Sequence, residues 1–240
     1  MSDALKIAFV VEGPTDYIVL KEIVREVLDG RDFVPQILKP EMSAAFKLIP
    51  GEDGGWPGVC RWCLQTKKQN GGHIRNNPLF NFYDILIIQL DADVAGFNYN
   101  DGHIKNPFPG QPTLPCNEPC PPAADTTNRL REIMLRWIGE QNIPPQTVLC
   151  TPSKALEAWV LVGLFPEDGQ VQLGNIECRD HPDHILRGKP AKKRLVSGSK
   201  KNVEKYDTFA SEIAANWEAI KGHCSEAIRF EDEFNALLTI

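Results

Sequence analysis

No apolar run in the 240 residues approaches the roughly 20 that a membrane-spanning helix needs, so a helical integral membrane protein is not expected. The opening Met1-Ser2-Asp3-Ala4-Leu5-Lys6 lacks the basic region and long apolar stretch of a secretory signal. That predicts a cytoplasmic location, where the 7 cysteines would stay reduced. Internal repeats and low-complexity tracts are also missing, which argues against solenoids and linker-like chains. There is no cationic excess either: 26 Lys and Arg stand against 32 Asp and Glu, a net charge of -6. This weakens the case for a nucleic-acid partner without excluding it, because an acidic average can hide a local basic patch. With 42% hydrophobic and 24% charged residues, the composition is that of a soluble globular protein, one sizeable domain or a domain with an appendage.

The most informative stretch is Asp84-Ile85-Leu86-Ile87-Ile88-Gln89-Leu90-Asp91-Ala92-Asp93-Val94-Ala95-Gly96. A nearly unbroken apolar run predicts a strand buried on both faces, as in a parallel sheet. Asp91 and Asp93 fall at its carboxyl end, where open α/β sheets place their ligands. Two carboxylates this close repel each other unless a cation lies between them, and a divalent metal fits. An Asp-rich turn is the plainer alternative.

Elsewhere, residues 6–11 predict a first strand, ended by Glu12-Gly13-Pro14-Thr15-Asp16. Apolar residues from Tyr17 to Leu28 then recur at helical spacing up to Gly30. Glu12 thus occupies the same place after its strand as Asp91 does after its own. Residues 33–38 predict a weaker strand, which Pro35 assigns to a sheet edge or a strand end. A loop over 40–58 and a short helix over 56–69 follow. Residues 97–124, rich in Pro, Asn and Gly, read as an insertion. A helix starts at Thr126 or Thr127, and residues 147–150 form a fourth strand. A further helix runs from Pro152 to Leu161 and puts Ser153 and Glu157 on one face. A basic segment over 187–201 precedes a last helical part over 206–220. The order predicts an α/β fold: a parallel four-stranded sheet with flanking helices over 1–165, and a mostly helical extension over 166–240 that packs on the core.

Glu12 in Val11-Glu12-Gly13-Pro14-Thr15-Asp16, together with Asp91-Ala92-Asp93, resembles the signature of the Toprim family, whose fold is Rossmann-like. That signature is a Glu after the first strand and an Asp-x-Asp after a later one. The Pro152–Trp159 segment looks like the helix by which OLD-type and small stand-alone bacterial Toprim-like proteins add a Ser and a Glu to the metal site. Some of these proteins are linked to phage defence. The resemblance implies a Mg²⁺- or Mn²⁺-dependent nuclease acting on DNA or RNA, with Glu12, Asp91, Asp93 and Glu157 as metal ligands. Glu12 is also implied as a general acid or base. Gly13, Asp16, Gly96 and Ser153 would support the site, and Lys192, Lys193 or Lys200 would balance phosphate charge. No G-x-x-x-x-G-K-[ST] loop is present, so any ATPase of an OLD-type machine would be a separate subunit. A homo-oligomer is also compatible.

Other readings stand beside this one. Glu12 suits a helix N-terminus, Ser153 a helix cap, and the basic segment a solvated loop. A metal-binding recognition subunit of an ATPase complex would use the same carboxylates without chemistry. Asp91-Ala92-Asp93-Val94 also resembles the nucleophile loop of HAD-like phosphatases, although that loop normally follows the first strand and leaves Glu12 unexplained. Cys60, Cys63, Cys116 and Cys120 offer four thiolates for a structural Zn²⁺, against their use as small core residues. His73 and His103 read as loop residues, with His103 near enough to Asp93 in sequence to reach a phosphate.

Overall fold

In the computed structural model, which describes residues 4–41 and 54–239, four strands form an all-parallel sheet. They are β1 (Leu5–Val10), β2 (Phe33–Lys39), β3 (Ile85–Gln89) and β4 (Thr147–Cys150), in the order β2-β1-β3-β4. Ile7 lies opposite both Pro35 and Ile85, and Leu86 lies opposite Thr147. Pro35 is tolerated because β2 is an edge strand with one hydrogen-bonded neighbour.

Strand alternation sorts the apolar residues into two cores. Ile7, Phe9, Ile85, Ile87 and Val148 face a core shared with α1 (Pro14–Val27). Ala8, Val10, Leu86, Ile88 and Leu149 face the other, closed by α2 (Gly55–Gln69) and α3 (Ala123–Ile138). Burial on both faces is why β3 reads as a continuous apolar run. The 97–124 insertion is part of the second core: Tyr99, Ile104 and Leu114 are buried, and the Tyr99 hydroxyl accepts a hydrogen bond from Trp137 Nε1 at 2.8 Å. α3 begins at Ala123, a turn earlier than its Thr126 signal, directly after Pro122. It ends at Gly139, whose φ of 81° and contact with Gly72 leave no room for a side chain: a Cβ would lie 1.9 Å from the Gly72 carbonyl oxygen. Of the loop expected over 40–58, residues 42–53 lie outside the described residues, and Gly55 already belongs to α2.

The helix expected from Pro152 starts only at Glu157, as α4 (Glu157–Leu164). Lys154 takes a left-handed φ of 60°, which breaks any helix there. The 152–156 segment instead lies along the end of β3. Ala92 N donates to Pro152 O and Asp93 N to Lys154 O, both at 2.9 Å. Ser153, buried in this turn, therefore shares no helix face with Glu157.

Beyond α4 come α5 (Gly169–Gln172), α6 (Pro182–Arg187), a two-residue hairpin of β5 (Val196–Ser197) and β6 (Lys200–Lys201), α7 (Val203–Ala215), α8 (Trp217–His223) and α9 (Ser225–Leu238). The expected last helix is thus broken at Asn216, whose side-chain amide donates to the Gly163 carbonyl at 2.9 Å. Ile213, Trp217, Phe230 and Phe234 join the β1–α1 core, with the Trp159 ring 5.5 Å from Trp217, edge on. Among the described residues no helix is long and apolar enough to cross a membrane.

Candidate functional site

The carboxyl ends of β1 and β3 sit side by side, because Val10 pairs with Ile88. Glu12 and Asp91 are the second residues past these strands, so the sheet register brings them together. Glu12 Oε1 accepts a hydrogen bond from the Asp91 amide at 2.7 Å. Gln89, fully buried at the end of β3, completes the junction: its Oε1 accepts from Glu12 N at 3.0 Å and its Nε2 donates to Asp91 Oδ1 at 2.8 Å. Leu156 N also donates to Asp91 Oδ1, at 3.1 Å. The turn before α4 thus fixes Asp91 and delivers Glu157 in the next position.

Glu12, Asp91, Asp93 and Glu157 line one cavity of about 300 Å³, with Lys201 and His181 on its walls. Asp16, on the first turn of α1, borders an adjoining cavity that shares Glu12, Asp91 and Lys201. The Lys201 ammonium lies 2.6 Å from Glu157 Oε1 and 3.6 Å from Asp16 Oδ1, although 36% of the side chain remains accessible. The Tyr206 hydroxyl donates to Glu157 Oε1 at 3.0 Å. Asp16 Oδ1 is buried and makes no hydrogen bond; at 3.6 Å its contact with Lys201 is an ion pair only.

This crowding sets the electrostatics. Burial, then repulsion from Asp93 and Asp16, pushes the Glu12 carboxyl up to about 8. Burial and Glu157 push Asp93 up to about 6. Asp91 is held well above the usual carboxylate range by burial and then by Glu12. Asp16 is raised by burial, with Lys201 opposing. Burial acts to lower the Lys201 ammonium, but Asp16 and Glu157 outweigh it and hold it well above the ordinary lysine value. Excess negative charge, the four carboxylates Glu12, Asp91, Asp93 and Glu157, and the orphaned buried oxygen of Asp16 fit a hard divalent cation. The carboxylates are set more widely than a closed three-ligand cluster. Among the described residues, side chains grouped within 4.8 Å of one another are His181, Asp183 and His184.

Several expected residues lie elsewhere. Lys192 is exposed on a 3-10 turn, Lys193 pairs with Glu212, and Lys200 is exposed. Lys201 is the lysine in the site: neighbours in a strand point to opposite sides, and although both residues of β6 are exposed, it is Lys201 that reaches Glu157 and lines the cavity. Gly13 precedes α1, where a Cβ would approach Asp16 Oδ2 to 3.1 Å, whereas Gly96 is exposed and has open space around it. Ser153 is buried beside the site without lining the cavity. His73 lies 3.8 Å from Glu140, and His103 follows the Tyr99–Gly102 turn; neither lines the cavity.

The four-thiolate zinc site is not formed. Cys120 is disulfide-bonded to Cys178, 58 residues away, which also corrects the expectation that all the cysteines are reduced. Cys60 and Cys63 are buried on α2 in the second core, where burial pushes both thiols up. Cys116 is half-buried and free.

Neither Gln89 nor Lys201 within the basic segment is among the residues expected from the sequence. The available signal for Gln89 was a lone amide inside an apolar strand. No protein-family model, curated protein or solved structure matches this chain.

Proposed function

We propose that this cavity is the active site of a Toprim-type nuclease that hydrolyses phosphodiester bonds in DNA or RNA with Mg²⁺ or Mn²⁺. The observation that carries the reading is the meeting of Glu12 with Asp91 at the ends of two adjacent parallel strands, with Asp93, Glu157 and Lys201 around the same cavity. Glu12, Asp91, Asp93 and Glu157 would hold the ion, which when bound polarises the phosphate and lowers the charge on the attacking and leaving oxygens. The resemblance also gives Glu12 a general acid or base role, and its carboxylate is held at the cavity wall by the Asp91 amide. Lys201 offers a fixed positive charge to the phosphate oxygens as charge builds on them. Asp16 and Tyr206 hold Lys201 and Glu157 in place.

The test is cleavage of single- and double-stranded DNA and of RNA, with each metal in turn. Glu12→Gln and Asp91→Asn should each lower the rate at least about a hundredfold. Cleavage that is unchanged in both variants overturns the assignment. Cleavage that appears only with a separate ATPase subunit would place the same site in a two-component machine.

A further inference from the structure

One cluster of ligand-type side chains at the cavity remains outside that scheme. His181 is the N-cap of α6, and Asp183 and His184 belong to its first turn. Their ligand atoms all lie within 4.8 Å of one another. The two imidazoles stand nearly parallel, with centroids 5.0 Å apart and planes 16° from each other. The two histidines are three residues apart, and His181 stands just outside the helix with a left-handed φ of 54° before Pro182.

The segment is tethered on several sides. Cys178 is bonded to Cys120, Asp180 pairs with Lys154 at 2.9 Å, and the Glu177 carboxylate accepts from Ser225 N at 2.8 Å. Arg187 holds Asp183 Oδ2 from the side and leaves Oδ1 without that partner. The cluster also opens on the carboxylate cavity: His181 and Asp183 line it together with Asp93. His181 is near enough for a charge on its ring to act on the Asp93 carboxylate.

We propose that His181, Asp183 and His184 form a second metal site on the cavity rim, one that takes a borderline transition ion such as Zn²⁺, Co²⁺ or Ni²⁺. Two imidazole nitrogens and one carboxylate oxygen discriminate against Mg²⁺, which prefers all-oxygen shells, and favour ions later in the first transition series. Three protein ligands leave a coordination position open, as in catalytic zinc sites, and here it borders the cavity that holds Glu12 and Asp93. Carboxylates outnumber the lysines Lys154 and Lys201 around this cavity, Asp93 standing beside the cluster, and the excess draws a cation to the rim. The chemical class of the open-position ligand is a water or a phosphate oxygen. This site goes beyond the nuclease reading and does not depend on it, since its ligands are separate from Glu12, Asp91 and Glu157.

The test reads binding rather than cleavage. The full chain is titrated with Co²⁺ in a large excess of Mg²⁺, and the visible absorption of bound Co²⁺ is followed. The expected result is a saturable band in the wild type that persists in Glu12→Gln. His181→Ala and His184→Ala should each weaken it at least about tenfold. His184 is 58% exposed, so its replacement disturbs little packing. As a measurement free of variants, Zn²⁺ should protect His181 and His184 of the wild-type chain from diethyl pyrocarbonate, read by peptide mass spectrometry. No band under excess Mg²⁺, undiminished affinity in His184→Ala, or no Zn²⁺ protection would overturn the site. Loss of the band in Glu12→Gln alone would assign the ion to the carboxylates instead, and would also overturn it.

Discussion

Glu12 and Asp91, 79 residues apart, are joined by a hydrogen bond from the Asp91 amide to Glu12 Oε1 at 2.7 Å. The contact is closed into a ring by Gln89, which accepts from Glu12 N and donates to Asp91 Oδ1. The carboxylates are thus held by the sheet itself rather than by flexible loops, the kind of support that preorganised charge needs.

The ring makes Gln89 a positioning residue. Gln89→Leu leaves Glu12 N without an acceptor and removes a donor from Asp91, at a cost of about 1–3 kcal/mol. Urea denaturation should show that loss as a lower midpoint at unchanged slope. Gln89→Glu restores the acceptor for Glu12 N but sets a carboxylate against Asp91, and should rescue less at pH 8 than at pH 5. Equal rescue at both pH values would count against the ring.

The raised carboxyls predict how stability depends on pH. Glu12 and Asp93 bind protons more tightly in the folded chain than in the unfolded one, at about 8 and about 6 against ordinary values near 4. Between the unfolded and folded values the native state holds the extra protons, so the slope of stability against pH is negative. The metal-free chain should be most favoured by these groups below about pH 4, and should lose that contribution as pH rises through about 6 and about 8. On the proposed function a divalent ion replaces those protons, so the upward shift in melting temperature on adding Mn²⁺ should be larger at pH 8.5 than at pH 5.5. Calorimetry in matched buffers checks both trends.

Lys201 carries a prediction that separates it from its neighbours. On the proposed nuclease reading, Lys201→Met should lower cleavage about a hundredfold. Without metal it should also lower the melting temperature, because Glu157 and Asp16 lose their counter-ion. Lys192→Ala and Lys200→Ala, both at exposed positions, should do neither. Rates and melting curves of the three variants under one buffer decide the matter.

Sequence periodicity carried the sheet because both faces of β1 and β3 are buried, so their apolar residues form unbroken runs. Glu12 and Asp91 were legible for the same reason, each following directly from where a strand ends, whereas Glu157 rested on the family resemblance and on a helix expected from Pro152 rather than from Glu157 itself. The choice among lysines was not legible. Lys200 and Lys201 differ only in which side of a two-residue strand they occupy, and that is set by the pairing of Val196 with Lys201. Ser153 was misplaced because the left-handed Lys154 has no sequence marker of the kind glycine provides. His181, Asp183 and His184 carry no sequence signal because the segment shows no apolar periodicity, and its shape comes from tethers distant in sequence such as Cys120.

That tether leads to the last prediction. A disulfide closing a loop of 58 residues restricts the unfolded chain by about 4 kcal/mol in the loop-entropy account. For a chain of this size that is about 10 °C in melting temperature. Wild-type protein should lose that increment on reduction, Cys120→Ser should lack it from the outset and ignore reductant, and Cys116→Ser should respond as wild type does. Thiol titration of the denatured chain should find the five free cysteines before reduction and all 7 after it. Cys178 precedes His181 by one turn of chain, so reduction should also release the rim segment and weaken Co²⁺ binding there, while Mn²⁺ binding at Glu12 and Asp91, fixed by the sheet, should hold. Equal loss at both sites would mean that the disulfide supports the whole fold rather than the rim.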